Sequence, residues 1–143
     1  MKRTRGLTAI ACGASLAGVV LAVPRPAAVA ASRGFRCDPK AFSGDVLRGP
    51  ERDLSLVGTL SFTVSGGGRL TGSLVNKGNQ LAVTGSVRGT ALTLAFHLHN
   101  GLEIVGRGSS AARISSCSQI PKRGAFTGPR AGDTGRWGYG LGG

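Results

Sequence analysis

The sequence predicts an all-β protein: a small antiparallel up-and-down meander of about six to eight strands, curled into a barrel and closed by one disulfide. Three observations support this class. Apolar and polar residues alternate over long stretches from Leu54 onward, and turn residues recur at short, regular intervals. No segment of the chain after residue 30 has the apolar spacing of an amphipathic helix of useful length.

The first 30 residues have the three parts of a secretory signal peptide, and we expect them to be cleaved. Three cations come first, an apolar run follows over 7–23, and Ala28-Val29-Ala30 provides the small side chains that signal peptidase requires. An uncleaved membrane anchor is the alternative, but the run is short and rich in Gly and Ala for a span of about 20 residues. The protein is therefore expected to be secreted, or otherwise extracytoplasmic, with no transmembrane segment after cleavage.

Cleavage also determines which cysteines remain to form a disulfide. It removes Cys12 and leaves Cys37 and Cys117, one on each side of the alternating region. In an oxidising compartment such a pair predicts a disulfide. The closed loop is about 80 residues long, for which chain entropy gives at most about 4.5 kcal/mol. A bond between these positions requires the two ends of the sheet to meet, as they do in a barrel.

The inward face of the meander can be followed by its alternation, with turns near 66–68, 76–79, 88–90 and 99–101. The inward residues are Leu54, Leu56, Gly58, Leu60, Phe62, Val64, Leu70, Gly72, Leu74, Leu81, Val83, Gly85, Val87, Leu92, Leu94, Phe96, Leu98, Leu102, Ile104 and Gly106. Because opposed residues must point the same way, these faces fix the strand registers.

A three-residue loop, His99-Asn100-Gly101, pairs Leu98 with Leu102 and Phe96 with Ile104. The same reasoning predicts one row running Phe62, Gly72, Val83 and Phe96, and a second running Val64, Leu70, Gly85, Leu94, Gly106 and Ala112. Large and small residues are interspersed across the inner face, which indicates a packed interior rather than a wide cavity.

The predicted organisation has four parts. Residues 1–30 are the signal peptide, and residues 31–53 are an N-terminal lead-in with a first strand near 42–47. Residues 54–128 form the barrel, including a strand from Ala112 and Ile114 to Cys117 and a further pairing segment over 124–127. Residues 129–143 form a Gly-rich, flexible C-terminal tail, of which Trp137 or Tyr139 can dock on the domain.

The chain is basic, with a formal net charge of +12. The signal peptide holds four cations and no acid, so cleavage lowers the charge to +8. This charge favours an anionic envelope polymer or lipid surface as partner, with Arg130, Arg136, Trp137 and Tyr139 of the tail as candidate contact residues. The alternative is that arginines scattered over turns are simply solvated. Without a basic run or an aromatic-interleaved stripe, a nucleic-acid partner is not favoured.

His97, His99 and Glu103 form one candidate metal site. His97 and His99 share the outer face of one strand, and the predicted register places Glu103 opposite His97. The alternative is a surface cross-strand pair between His97 and Glu103, worth a few tenths of a kcal/mol. No cofactor is predicted. No nucleophile–base pattern or convergent carboxylate pair is evident, so the chain is expected not to be an enzyme.

The strand segments Leu70-Thr71-Gly72 and Val83-Thr84-Gly85 resemble those of lipocalin-like and avidin-like barrels in general architecture. The resemblance implies that a small apolar ligand could be carried inside the barrel. It transfers no site residue, since the aromatic residues of an avidin ligand site have no counterparts here. The sequence thus predicts a secreted, non-catalytic protein that binds or interacts at the cell envelope. A carrier of a small apolar ligand is the alternative, and a metal-binding surface or an enzyme is the second alternative.

Overall fold

A computed structural model of the chain describes residues 33–48 and 51–141. Signal-peptide cleavage at Ala28 and Ala30 lies outside the described residues and stays a prediction. The strands, in chain order, are β1 (Phe35–Arg48), β2 (Glu51–Val64), β3 (Arg69–Asn76), β4 (Asn79–Arg88), β5 (Ala91–His97), β6 (Glu103–Ser109), β7 (Arg123–Thr127) and β8 (Thr134–Tyr139). A short 3-10 helix, Cys117–Gln119, lies between β6 and β7.

Each strand pairs in antiparallel fashion with the next, and β8 pairs back onto β1, so that the sheet closes into a barrel of eight strands. The all-β, up-and-down barrel predicted from the alternation is confirmed. The predicted disulfide is also present, and it joins Cys37 of β1 to Cys117 with a Cα–Cα distance of 5.5 Å.

The register predicted from the inward faces is confirmed over the middle of the chain. Gly72 lies opposite Phe62 on one side and Val83 on the other, and Val83 lies opposite Phe96. At the β5–β6 turn the N–H of Leu98 donates to the carbonyl of Leu102, and Gly101 adopts the positive φ of 87° that this loop needs. Burial of one face therefore specifies the pairing, because a slip of one residue would turn every leucine outward.

The strand expected from Ala112 to Cys117 is wrong. Gly106 pairs with Phe126 of β7 instead of Ala112, and residues 110–116 form an irregular segment. This segment bonds to the β4–β5 turn, since the N–H of Ile114 donates to the carbonyl of Gly89. Ile114 is the one large apolar residue in the stretch, so there is no alternating face to hold a strand in register.

The expected C-terminal tail is also wrong. Residues 134–139 are strand β8, in which Trp137 lies opposite Gly44 of β1 and Gly124 of β7. Trp137 and Tyr139 point inward and are each only 3% exposed. The barrel therefore runs from Phe35 to Tyr139, so neither 53/54 nor 128/129 is a boundary.

The side chain of Trp137 packs against four glycines, which we call the glycine seat: Gly44, Gly106, Gly108 and Gly124. A Cβ added at Gly106 would lie 2.9 Å from Trp137 Nε1, and one added at Gly108 would lie 3.0 Å from Trp137 Cζ2. The indole N–H donates to the carbonyl of Ala125 at 3.2 Å. The small residues on β1, β6 and β7 thus make room for the largest side chain of the core.

Aromatic rings fill the middle of the barrel around this seat. The ring of Phe42 lies 5.0 Å from that of Phe96 and 5.8 Å from that of Trp137, measured between centroids. Phe96 also meets Phe126 edge to face at 5.9 Å. These contacts are tilted, stacked and edge-on, and such arrangements are favourable for buried aromatic pairs. The interior at this level is a packed core, as the interspersed large and small residues predict.

Candidate functional site

The two ends of the barrel differ. At one end the segment 110–122 folds over the core and buries Ile114 and Ile120. The disulfide between Cys117 and Cys37 fixes this segment to β1. We call the segment the lid and this end the lidded end. The opposite end, called the mouth, is formed by the β3–β4, β5–β6 and β7–β8 turns together with the start of β2.

A pocket of about 520 Å³ lies at the mouth. Its lining residues are Leu54, Leu81, Leu98, His99, Asn100, Leu102, Pro129 and Arg130. The four leucines are the apolar inward-facing residues of β2, β4 and the β5–β6 hairpin that lie nearest the mouth. Two residues deeper on the same strands come fully buried side chains such as Val83, Phe96 and Ile104. The pocket is therefore an apolar cup that stands on the packed core.

Polar groups at the rim are held in place by local bonds. The buried Asp133 carboxylate accepts the backbone N–H of Arg130 at 3.1 Å and lies 3.7 Å from its Nε. Asn100 Oδ1 accepts the N–H of Leu102 at 3.0 Å. The Arg130 side chain is half exposed, so its guanidinium group lies at the edge of the pocket. The cup is thus apolar inside and has polar groups at its edge.

The structure brings together two of the three residues of the candidate metal site. His97 lies opposite Glu103 as predicted, with 3.5 Å between His97 Nδ1 and Glu103 Oε2. The other ring nitrogen, Nε2, lies 2.8 Å from Thr84 Oγ1. His99 lies away from this pair and lines the mouth pocket. Within residues 33–48 and 51–141, no three His, Cys, Asp or Glu residues are arranged to hold a metal ion.

The four candidate contact residues of the supposed tail do not share a surface. Arg136 is exposed on the outer face of β8, and Arg130 lies at the mouth. Trp137 and Tyr139 are buried, because the alternation of β8 turns these two positions inward. The prediction of a joint surface contact is therefore wrong for the two aromatic residues. The signal in the sequence was the spacing of two between Trp137 and Tyr139, which is the period of a strand.

The phenol of Tyr139 is buried near the ring of Phe62, at 5.9 Å between centroids. Its hydroxyl has no hydrogen-bond partner among the described residues. Burial raises the pKa of Tyr139 above its ordinary value of 10.0, and the nearby Asp38 carboxylate raises it further. The hydroxyl therefore stays protonated well into the alkaline range.

Fold and site together define a class: a small closed antiparallel barrel with one end covered by a disulfide-bonded lid and an apolar cup at the other. Comparison of the chain with protein-family models, curated proteins and solved structures finds no match. In the part of the chain that the structure describes, no helix is long and apolar enough to cross a membrane.

Proposed function

We propose that the chain is an exported, non-catalytic binding protein that holds the apolar part of a small ligand in its mouth pocket. The observation that supports this function is the cup of about 520 Å³ walled by leucines. Small-molecule sites are typically concave and mostly apolar, with volumes of about 300–1,000 Å³ and a few polar groups that orient the ligand. The mouth has each of these properties.

The packing below the cup limits how far a ligand can enter. Phe96 and Ile104 fill the level beneath the leucines, so a ligand would stand in the mouth rather than thread the barrel. Its polar end would then lie at the rim, near Arg130 and Asn100. This arrangement suits an amphiphile with one alkyl chain and a small hydrogen-bond-accepting head group, such as a carboxylate.

Isothermal titration calorimetry of the exported protein with dodecanoate tests this function. We expect one bound molecule per chain and a roughly tenfold weaker affinity for Leu102→Asn, because part of a leucine contact worth about 1.5–3 kcal/mol is lost. Val75→Asn is the matched control. Leu102 and Val75 are 44% and 40% exposed, but Val75 lies on the outer face of β3, away from the pocket. Equal effects of the two variants, or saturation at many molecules per chain, would contradict a site in the mouth.

Export has its own test, which is mass spectrometry of the protein recovered outside the producing cell. Cleavage after Ala30 predicts an N-terminus at Ala31 and a mass two hydrogens below that of the reduced chain, because Cys37 and Cys117 are bonded. Recovery of the chain with residues 1–30 still attached would contradict the predicted cleavage.

A further inference from the structure

Three arginines come together on the outer face of the barrel, on strands β6, β7 and β8. Ala125 of β7 lies opposite Arg107 on one side and Arg136 on the other. Arg123 precedes Ala125 by two residues, so it lies on the same face of β7. All three arginines are exposed. We call this group the arginine triangle.

The register gives the dimensions of the triangle. Neighbouring strands are about 4.8 Å apart, so the backbones at Arg107 and Arg136 are separated by about 10 Å. Arg123 is the diagonal neighbour of both, at about 7–8 Å. Ala125 is small and lines one depression together with Arg123 and Arg136, and Arg107 lies opposite Ala125 on the neighbouring strand β6.

The surface beside the triangle is concave. Two depressions, of about 530 and 460 Å³, are each lined by Arg123 and Arg136. Their other lining positions are mostly small, including Gly124, Ala125 and Gly138. Ala125 and Gly138 lie on the outward face and are small, so they allow an extended chain to lie close to the arginines.

The charges around the triangle are unbalanced. Asp45 of β1 lies opposite Arg136, and its Oδ1 accepts a hydrogen bond from Ser55. Arg107 Nη1 donates to Thr127 Oγ1 at 3.5 Å, which is a neutral partner. Three guanidinium groups and one carboxylate thus face the same area. Three like charges on one face repel one another, so a bound polyanion would lower this repulsion.

We infer that the arginine triangle is a docking surface for a linear phosphate polymer. The planar guanidinium group binds phosphate through two parallel N–H donors, and successive phosphates along one chain can meet successive arginines. The concave strip along Arg123 and Arg136 fits an extended chain better than the flat surface of a membrane. The triangle lies on the flank of the barrel and involves no residue of the mouth, so the inference is independent of the proposed function.

Binding of long-chain inorganic polyphosphate to the exported protein tests the inference. With about three phosphate contacts, affinity should fall roughly 15- to 20-fold between 50 and 200 mM salt. Arg107→Gln/Arg123→Gln/Arg136→Gln should weaken binding at 50 mM salt by at least tenfold. The matched control, Arg69→Gln/Arg88→Gln/Arg113→Gln, removes the same charge at three exposed positions elsewhere, and it should change affinity by less than threefold.

Circular dichroism and the single variant Arg136→Gln accompany these measurements, so that a fold defect in the triple variant is recognised. An equal loss in the control would overturn the inference, because binding would then reflect net charge alone. Absence of polyphosphate binding at 50 mM salt would overturn it as well. So would binding to vesicles containing anionic phosphatidylglycerol together with no binding to the polymer, because the partner would then be a lipid surface.

Discussion

Substitution of Gly106 by alanine tests whether the glycine seat determines how the core is packed. The new Cβ would lie 2.9 Å from Trp137 Nε1, 3.2 Å from Trp137 Cδ1 and 3.1 Å from Phe126 Cε1. These atoms belong to two buried rings, not to the ends of flexible side chains. The indole would therefore have to move away from β6 as a whole.

The magnitude follows from opposing contributions to the free energy of unfolding. Replacing a strand glycine by alanine stabilises by about 0.5–1 kcal/mol through chain entropy. Overpacking a closed core destabilises by about 1–3 kcal/mol. A displaced indole also weakens its hydrogen bond to Ala125, worth about 1 kcal/mol. The net expectation is a loss of about 2 kcal/mol for Gly106→Ala.

Urea unfolding followed by far-ultraviolet circular dichroism measures this loss. Gly67→Ala is the control, since the atom nearest to its new Cβ, Ser65 Oγ, would be 3.9 Å away. The control should gain about 0.4–1 kcal/mol. In a Trp137→Phe background the smaller ring should reduce the penalty of Gly106→Ala by at least about 1 kcal/mol. Wild-type stability of Gly106→Ala, or strict additivity with Trp137→Phe, would refute the reasoning.

Three further predictions concern the disulfide, the buried phenol and the last strand. For Cys37→Ala/Cys117→Ala, the free energy of unfolding measured in urea should be lower by up to about 4.5 kcal/mol. A decrease of less than about 1 kcal/mol would contradict a stabilising role for this bond between the two ends of the sheet. Because the pKa of Tyr139 is raised, the unfolded chain releases this proton first. Stability should therefore fall as pH rises above 10. In thermal melts, Tyr139→Phe should show a smaller decrease of melting temperature with pH in this range, and an unchanged decrease would contradict the expectation. A chain ending at Ala131 lacks β8 and should show no cooperative melting transition, whereas a cooperative one would show that closure is dispensable.

The sequence predicts the middle of the barrel well because each strand there has one buried face. Between Leu54 and Gly106 the alternation specifies which residues point inward, and the loop at Gly101 specifies how β5 and β6 pair. These signals are local, and the tertiary structure agrees with them because the buried leucines and phenylalanines all belong to one core.

The strand β8 could not be predicted from composition alone. Gly135 and Gly138 suggest a flexible linker, yet Gly135 lies against the backbone of Asp45, where a larger residue would not fit. Glycine is needed in this strand because a neighbouring strand packs closely against it, not because the chain turns there. The relevant contacts are between β8 and β1, at opposite ends of the barrel sequence. The spacing of two between Trp137 and Tyr139 is typical of a strand, but it does not show which strands this one pairs with.

The sequence predicts only part of the mouth pocket. Its leucines are correctly predicted to point inward, but whether an inward residue is core or pocket depends on which end of the barrel is covered. The lid decides this, and its segment 110–116 lacks the alternation on which the strand prediction relied. The arginine triangle was missed because Arg107, Arg123 and Arg136 are far apart in sequence and meet only through the register of β6, β7 and β8.

The seam between β1 and β8 also has a consequence for association between molecules. Until β8 arrives, β1 and β7 each present an unpaired edge, and an open edge can accept a strand from another chain. Because β8 is joined to β7 by the short turn 128–133, a second copy could supply the same strand to the same edges. If two copies exchanged β8, each copy would form all the hydrogen bonds between β8 and its neighbours β1 and β7 with the strand of the other copy. At high concentration during refolding, we therefore expect a strand-swapped dimer as the main off-pathway product.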